Sequence, residues 1–176
     1  MKKTYLKNKN VSIAFNNEIE LTKKDIIKNS QRLITINKFR ICSHNKNSAK
    51  IHEMIIFHKK DHYVRPHKHI NKSESYHLIE GRFDLVFFTE NGDINKIVEM
   101  GNYKSNKNFY FRINKPIYHT LIIKSKICIF HETTNGPFKK NETINASWSP
   151  NVKDKKKIDY FYKNLKNRIK IFNEKK

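Results

Sequence analysis

The chain has few of the residues that cross-link or bend small proteins. Its 176 residues include two cysteines, four glycines and four prolines. Cys42 and Cys128 are too few for a disulfide framework and show no CxxC spacing, which is typical of a reducing compartment. Scarce glycine and proline argue against a long flexible linker. A chain of this length suits one domain.

Long apolar runs are also missing. Met1-Lys2-Lys3 resembles the start of a signal peptide, but no apolar core region follows it. Lysines break the other apolar segments, whereas a membrane span needs about 20 apolar residues. We therefore expect no transmembrane segment and a cytoplasmic protein. The 12 Phe and 8 Tyr still supply enough apolar surface for a compact core.

Acidic residues are scarce: 16 Asp and Glu face 37 Lys and Arg, which gives a net charge of +21. Such a charge suits a nucleic-acid or anionic-membrane partner. However, 31 of the 37 cations are lysines, they are scattered along the chain, and Asn is abundant too. Lys and Asn share A/T-rich codons, and a nucleic-acid footprint concentrates its cations on one stripe. We favour genome composition and expect no specific nucleic-acid partner.

From Phe39 onward the sequence is typical of short β-strands. The segments rich in β-branched and aromatic residues are KIHEMIIFH (50–58), RFDLVFF (82–88), INKIVEM (94–100), NFYFRI (108–113), HTLII (119–123) and KICIFHE (126–132). Turn signals separate them, and Asn91-Gly92 is a strong hairpin signal. Gly81 is expected to permit another hairpin. Short strands without intervening helices predict an antiparallel sandwich or barrel.

Helical patterns lie on both sides of this β-rich region. Residues 21–37 contain Thr22 and Asp25 at capping-box spacing, and the first twenty residues could add an edge strand. In the tail, an apolar stripe at helical spacing runs through Ile158, Phe161, Tyr162, Leu165, Ile169 and Phe172. This helix is expected to pack on the β-domain or on a second copy in a homodimer; a membrane surface is the alternative. The predicted segments are an N-terminal extension (1–38), a β-barrel domain (39–150) and a basic C-terminal helix (151–176).

The densest pattern in the chain gathers three metal-binding side chains. His67 and His69 are two residues apart and share one face of a strand, and Glu74 can face back toward them after a short turn. Two histidines and one carboxylate hold a divalent metal with open positions. His119, at the start of a strand after Pro116, offers a fourth ligand. Isolated HxH pairs occur by chance in a chain with nine histidines. The longer spacing of these residues favours a metal site.

These motifs resemble the cupin superfamily, and more closely the WbuC family of cupin fold metalloproteins. The resemblance covers roughly residues 32–150 and rests on FRICSH (39–44), YVRPHKHINKSESYHLIEG (63–81), FRI and PIYHTLII (111–123), HETTNGPF (131–138) and WSP (148–150). It implies a double-stranded β-helix, or jelly-roll barrel, with one internal divalent ion, which could be Zn, Fe, Mn or Ni. The implied ligands are His67, His69, Glu74 and His119. Members are encoded among genes for O-antigen and other surface polysaccharides.

Four further residues are candidates for ligand binding. Arg65 shares strand parity with the two histidines and could bind an anion bidentately, although a surface salt bridge is the alternative. Tyr110 and Arg112 share a strand face that points either into the cavity or to solvent. Of His131 and Glu132, only one can face inward, and the resemblance favours Glu132.

Two classes of function remain open. The first is an enzyme that acts on a sugar or nucleotide-sugar-derived metabolite, with the metal as Lewis acid, for example an isomerase or epimerase. The second is a non-catalytic, metal-dependent module that senses or carries a glycan precursor. In both, the open metal positions and the arginines favour a small, anionic, carbohydrate-like ligand.

Overall fold

The computed structural model describes residues 3–175. Its strands are β1 (Thr4–Asn8), β2 (Val11–Ala14), β3 (Lys38–Cys42), β4 (Ile51–Lys59), β5 (His67–His69), β6 (Glu74–Glu80), β7 (Arg82–Phe88), β8 (Ile94–Gly101), β9 (Tyr110–Ile113), β10 (Tyr118–Ile123), β11 (Ile127–Asn135) and β12 (Thr143–Asn145). The α-helices are α1 (Lys23–Ser30) and α2 (Lys155–Glu174), and short 3-10 turns cover Gln31–Ile34 and Lys140–Glu142. None of the helices within 3–175 has the length and apolar character to cross a bilayer.

The strands form two sheets. Sheet A has the order β1-β2-β3-β4-β11-β6-β9, and sheet B has the order β12-β5-β10-β7-β8. From β4 to β11 the chain visits the two sheets in the order A, B, A, B, B, A, B, A, so that four strands of each sheet interleave into a double-stranded β-helix. The fold is thus mainly β, a jelly-roll barrel with helices in both terminal segments. This confirms the fold class predicted from the sequence.

The two glycine turns have different roles in the barrel. Asn91-Gly92 joins β7 and β8, which pair antiparallel, and Gly92 has a positive φ of 89°. The predicted hairpin is confirmed there. Gly81 also has a positive φ, of 83°, but β6 and β7 lie in different sheets. The prediction of a hairpin at Gly81 is wrong, because the chain turns a corner from sheet A to sheet B.

Three apolar clusters hold these layers together. One fills the barrel between the sheets and includes Phe83, Leu85 and Phe130. The second lies under the N-terminal segment, around Leu33 and Phe57. In the third cluster, the apolar stripe of α2 packs against strand residues of sheet B and against Trp148. The helix residues of this cluster are Tyr162, Leu165 and Ile169, and the partly buried Phe161 and Phe172 pack against it. The C-terminal helix therefore packs on the β-domain, one of the two arrangements expected from the sequence.

The N-terminal segment begins its helix as the sequence indicates. The Thr22 hydroxyl accepts a hydrogen bond from the Asp25 backbone N–H, and the Asp25 carboxylate accepts one from the Thr22 backbone N–H. This reciprocal capping box satisfies two of the unpaired donors at the helix start. The strands β1 and β2 precede it and extend sheet A beyond β3. The wall formed by sheet A is therefore wider than the wall formed by sheet B.

Candidate metal centre and cavity

Three histidines come together on sheet B because of strand register. His67 and His69 lie on the same side of β5, and His119 on β10 is the direct cross-strand partner of His67. One potential ligand atom from each histidine lies within 4.8 Å of the other two. Two metal–nitrogen bonds of about 2.1 Å at tetrahedral angles hold their donors roughly 3.4 Å apart. The three imidazoles would therefore move closer together by up to roughly an ångström around one bound ion.

Glu74 adds a carboxylate from the opposite sheet. It opens β6 of sheet A after a turn in which Asn71 has a φ of 59°. Its Oε2 atom lies 3.2 Å from His119 Nε2 and 3.7 Å from His69 Nε2. The Tyr76 hydroxyl donates a hydrogen bond of 2.6 Å to the same oxygen. The four donors therefore join the two sheets at one point inside the barrel.

Each of the three imidazoles has an oxygen atom next to its Nδ1 atom. The partners are Arg65 O for His67, at 2.8 Å, and Ile117 O for His119, at 3.0 Å. His69 Nδ1 lies 3.0 Å from the Thr143 hydroxyl oxygen. When the Nδ1–H group donates a hydrogen bond to such an oxygen, the lone pair on Nε2 stays free and the orientation of the ring is fixed. Metal-binding histidines usually have a hydrogen-bond partner of this kind.

The local electrostatics agree with that arrangement. Burial, together with the neighbouring His119, lowers the pKa of His67 to about 4. Burial likewise lowers the pKa of His69. At Glu74 burial opposes ionisation, but the hydrogen bond and charges of the histidines outweigh it and bring the pKa of that carboxyl below its usual range. Neutral imidazoles and an ionised carboxylate are the protonation states that bind a divalent metal.

The donor set fits a divalent ion of the kind predicted. It contains nitrogen and oxygen donors and no cysteine, which suits first-row ions such as Zn, Fe, Mn and Ni. Cys42 and Cys128 are both buried and free. Burial raises the pKa of each thiol, so neither is a thiolate at neutral pH.

A cavity of about 750 Å³ opens onto this centre. His67, His69 and Glu74 line one part of it, and the concave face of sheet A forms much of the remaining wall. A volume of this size accommodates a metabolite larger than a single sugar ring.

Glu132 lines this cavity on β11, between Met54 of β4 and Tyr76 of β6. His131, its neighbour, instead lies 3.7 Å from Glu53 and does not line the cavity. Within residues 3–175 no hydrogen bond or ion pair engages the Glu132 carboxyl group. Burial raises its pKa, the charge of Glu74 raises it further, and Arg40 opposes both. An unpaired carboxyl group in a cavity wall is available to a ligand.

The arginines differ from expectation. Arg65 reaches the cavity wall, but its guanidinium donates to Ser149 Oγ and Ser149 O, both at 3.1 Å, and to Ala146 O at 3.4 Å. These Nε and Nη2 donors hold the chain after β12. No ion pair involves Arg65 within residues 3–175, so the surface salt bridge considered for it is absent, and the anion contact stays a prediction for the remaining Nη1 group.

Tyr110 and Arg112 lie outside the barrel cavity. Both side chains are exposed, while Phe111 and Ile113, at the alternate positions of β9, pack against the barrel core. Arg112 Nη2 is 3.5 Å from Ser73 Oγ on the outer face. Of the two orientations that the sequence left open, the structure has the one in which Tyr110 and Arg112 face solvent, because β9 turns its apolar face inward.

Two residues of the site were missed in the sequence. Tyr76 has the same strand parity as Glu74, so its approach to that carboxylate follows from alternation. Thr143 had no such signal: it lies 74 positions from His69 in the chain, and β12 brings it alongside by pairing with β5.

Comparison with known proteins supports the fold and leaves the activity open. A family model described as a domain of unknown function (DUF6016) matches residues 28–100. No curated protein sequence matches the chain. Several solved structures also resemble the chain at low sequence identity. Protein SO0799 from Shewanella oneidensis has a TM-score of 0.53 at 9% identity, covering 72% of this chain and 85% of that one.

Two other similar structures are oxalate decarboxylase OxdC from Bacillus subtilis and the capsular polysaccharide assembling protein CapF from Staphylococcus aureus. The OxdC match has a TM-score of 0.44 at 17% identity, covering 56% of this chain and 24% of that one. The CapF match has a TM-score of 0.47 at 16% identity, covering 53% and 26%. The chain thus spans about a quarter of the length of these proteins.

Proposed function

We propose that this chain is a metal-binding cupin similar to the WbuC family, acting on a sugar or nucleotide-sugar-derived metabolite of surface polysaccharide (O-antigen) biosynthesis. One observation carries the metal site: three imidazoles and the Glu74 carboxylate converge beside an open cavity, and each Nδ1 atom has an oxygen partner. The polysaccharide context comes from the sequence motifs.

In this proposal His67, His69, His119 and Glu74 hold one divalent ion. The ion would supply Lewis-acid polarisation of a ligand oxygen. Tyr76 fixes the Glu74 carboxylate by its 2.6 Å hydrogen bond, and the cavity wall positions the ligand. The ligand is expected to be small, anionic and rich in oxygen.

The unpaired Glu132 carboxyl group favours an enzyme over a binding module. A binding module has no need for a titratable group that is buried beside the ligand position without a partner. An isomerase or epimerase does need one, because a proton must be held and returned to the substrate. Glu132, which pairs with Tyr76 two residues along β6 from Glu74, is the residue proposed for that role. The alternative is a non-catalytic, metal-dependent sugar-binding or sensing module.

Metal content tests the first part of the proposal. Protein purified after metal-replete expression should contain about one divalent ion per chain, and His67→Ala or His119→Ala should remove it. His131→Ala is the matched control, because this histidine lies outside the cavity. Elemental analysis that finds less than a tenth of an equivalent in the wild type, or full occupancy in both site variants, rejects the ligand set.

Ligand binding and turnover test the second part. A thermal-shift screen should show stabilisation of the metal-loaded protein by sugar acids and nucleotide sugars, not by apolar metabolites, and chelation should abolish it. With any compound that is turned over, Glu132→Gln should keep binding and lose turnover. Equal turnover in Glu132→Gln contradicts the proton-transfer role. Binding without turnover of any sugar-derived compound by the wild type favours the sensing module.

A further inference from the structure

Three cationic side chains on the strands that precede β4 line the cavity. Lys7 lies on β1, and Lys38 and Arg40 lie on β3; all three line the cavity that holds the candidate metal centre. Within residues 3–175, no carboxylate forms an ion pair with any of them. Among residues 3–175 the Arg40 guanidinium makes one side-chain hydrogen bond, from Nη1 to the Met54 sulfur at 3.9 Å, and its charge opposes the rise that burial causes in the pKa of Glu132. We call these three residues the cation cluster.

The cluster exists because sheet A is wider than sheet B. The strands β1, β2 and β3 extend the wall beyond β4, giving seven strands against five. Lys38 and Arg40 are two residues apart, so they share one face about 7 Å apart. Cys42, the next residue of the same parity, belongs to the barrel core. The N-terminal segment thus presents its cations on the concave side.

Holding these charges together is unfavourable without an anion. Lys38 is an exposed residue overall, yet partial burial of its ammonium group lowers its pKa, and the charge of Arg40 lowers it further. Genome composition explains unpaired lysines on the outer surface. It does not explain two lysines and one of only six arginines in the lining of the cavity with the metal donors.

The register gives the distance between the cluster and the metal donors. Arg40 pairs with Ile56, Ile56 with Phe130, and Phe130 with Leu78. Leu78 is four residues beyond Glu74 on β6, about 13 Å along the strand, and the three strand-to-strand steps from β3 to β6 add roughly 14 Å across the sheet. One ligand can therefore reach both places only if it is extended.

We infer that the cation cluster binds the phosphate or diphosphate group of an extended ligand whose oxygen-rich end reaches the histidines. Three cations match a group of two or more negative charges, whereas a single carboxylate would leave most of the charge uncompensated. Arginine also binds phosphate oxygens bidentately. The contact at the histidines rests on the proposed function; the contact at the cluster does not.

The test isolates the cluster by removing the metal. Pyrophosphate is titrated by calorimetry into the His67→Ala protein at physiological salt, and one equivalent should bind. Arg40→Gln or Lys38→Gln in that background should weaken binding at least about tenfold. Arg82→Gln is the matched control, because Arg82 is exposed and outside the cavity. Acetate should bind at least about tenfold more weakly than pyrophosphate.

The outcomes separate this inference from the proposed function. Undetectable pyrophosphate binding at millimolar concentration, equal losses in Arg40→Gln and Arg82→Gln, or equal affinity for acetate would each overturn the phosphate assignment. Cluster-dependent binding in a protein whose wild type holds no metal would leave the assignment standing and reject the metal site. Circular dichroism checks folding; if Arg40→Gln does not fold, Lys38→Gln decides.

Discussion

Thr143 offers a way to weaken the candidate metal site without changing a ligand. The oxygens next to Nδ1 of His67 and His119 are backbone carbonyls, which substitution cannot remove. The oxygen next to Nδ1 of His69 is the Thr143 hydroxyl, at 3.0 Å. Thr143→Val keeps the shape of the side chain and removes this acceptor. The imidazole of His69 then loses the contact that fixes its tautomer and orientation.

The size of the effect follows from how such outer contacts act. Losing one typically costs 10–100-fold in metal affinity, or about 1.4–2.8 kcal/mol. A metal that binds only the folded chain loses the same amount of stabilisation at saturating concentration. In a chain of this size each kcal/mol corresponds to roughly 2–4 °C, so the unfolding midpoint of the metal-loaded protein should fall by roughly 3–11 °C. The midpoint of the metal-free protein should change much less.

Competition with a chromophoric zinc chelator measures the affinity, and thermal unfolding with and without Zn²⁺ measures the linked stability. Thr143→Ser keeps the hydroxyl and should bind Zn²⁺ nearly as the wild type does. Thr133→Val makes the same chemical change on β11, where the hydroxyl contacts no histidine, and should also be silent. A Thr143→Val protein that binds Zn²⁺ within about twofold of wild type refutes the reasoning. A loss as large in Thr143→Ser points to packing rather than to the hydrogen bond.

Three further predictions concern the scaffold. Gly81→Ala should destabilise the fold by at least about 1–2 kcal/mol in urea unfolding, because the residue has a φ of 83° and a Cβ atom would lie 2.5 Å from Ile127 O; no change would mean that this corner adapts freely. Leu165→Ala should lower the free energy of unfolding by about 2–5 kcal/mol, because this side chain is only 2% exposed in the α2 cluster. Ile171→Ala, at an exposed position of the same helix, should lower it by less than about 0.5 kcal/mol. Similar losses in the two variants would contradict the packing of α2. Burial lowers the pKa of His62 from 6.5 to about 4, so the unfolded chain binds more protons between these values and stability should fall as pH falls through that window. In the metal-free His67→Ala background, His62→Gln should reduce this pH dependence by the share of one histidine, because burial also lowers the pKa of His44, His58 and His69; an unchanged slope would contradict the prediction.

The alternation of side chains along a strand was sufficient to predict which residues share a face. His67 and His69 share a face because their spacing is even, whereas the segment 82–88, which is the strand β7, was recognised from its β-branched and aromatic residues and is buried on both faces. Alternation also predicts that Tyr110 and Arg112 share a face, but not which face turns inward. The apolar residues between them, Phe111 and Ile113, were the better guide, because burial of apolar surface decides the orientation of an edge strand.

Contacts between segments that are distant in the chain could not be predicted from the sequence. Arg65 shares strand parity with the histidines, yet its acceptors lie 81–84 residues later in the chain. Thr143 meets His69 only because β12 adds to the edge of sheet B beside β5. Pairings of this kind depend on how the whole jelly roll closes. A local pattern can show which residues are able to bind a metal or an anion, but not which donors are already engaged.

The cationic residues of the cavity also could not be predicted from local patterns in the sequence. Arg65 and Arg112 were expected to supply the positive charge, and the structure engages the first and turns the second outward. The unpaired cations come instead from β1 and β3, in or next to the N-terminal extension, which the sequence separates from the barrel domain. Because β1 to β3 continue sheet A, that extension forms part of the cavity wall. The expectation of an anionic ligand can therefore draw on different residues, at a greater distance from the metal donors. Under the proposed function a sugar acid would reach the metal donors alone, whereas an extended nucleotide sugar would reach both places.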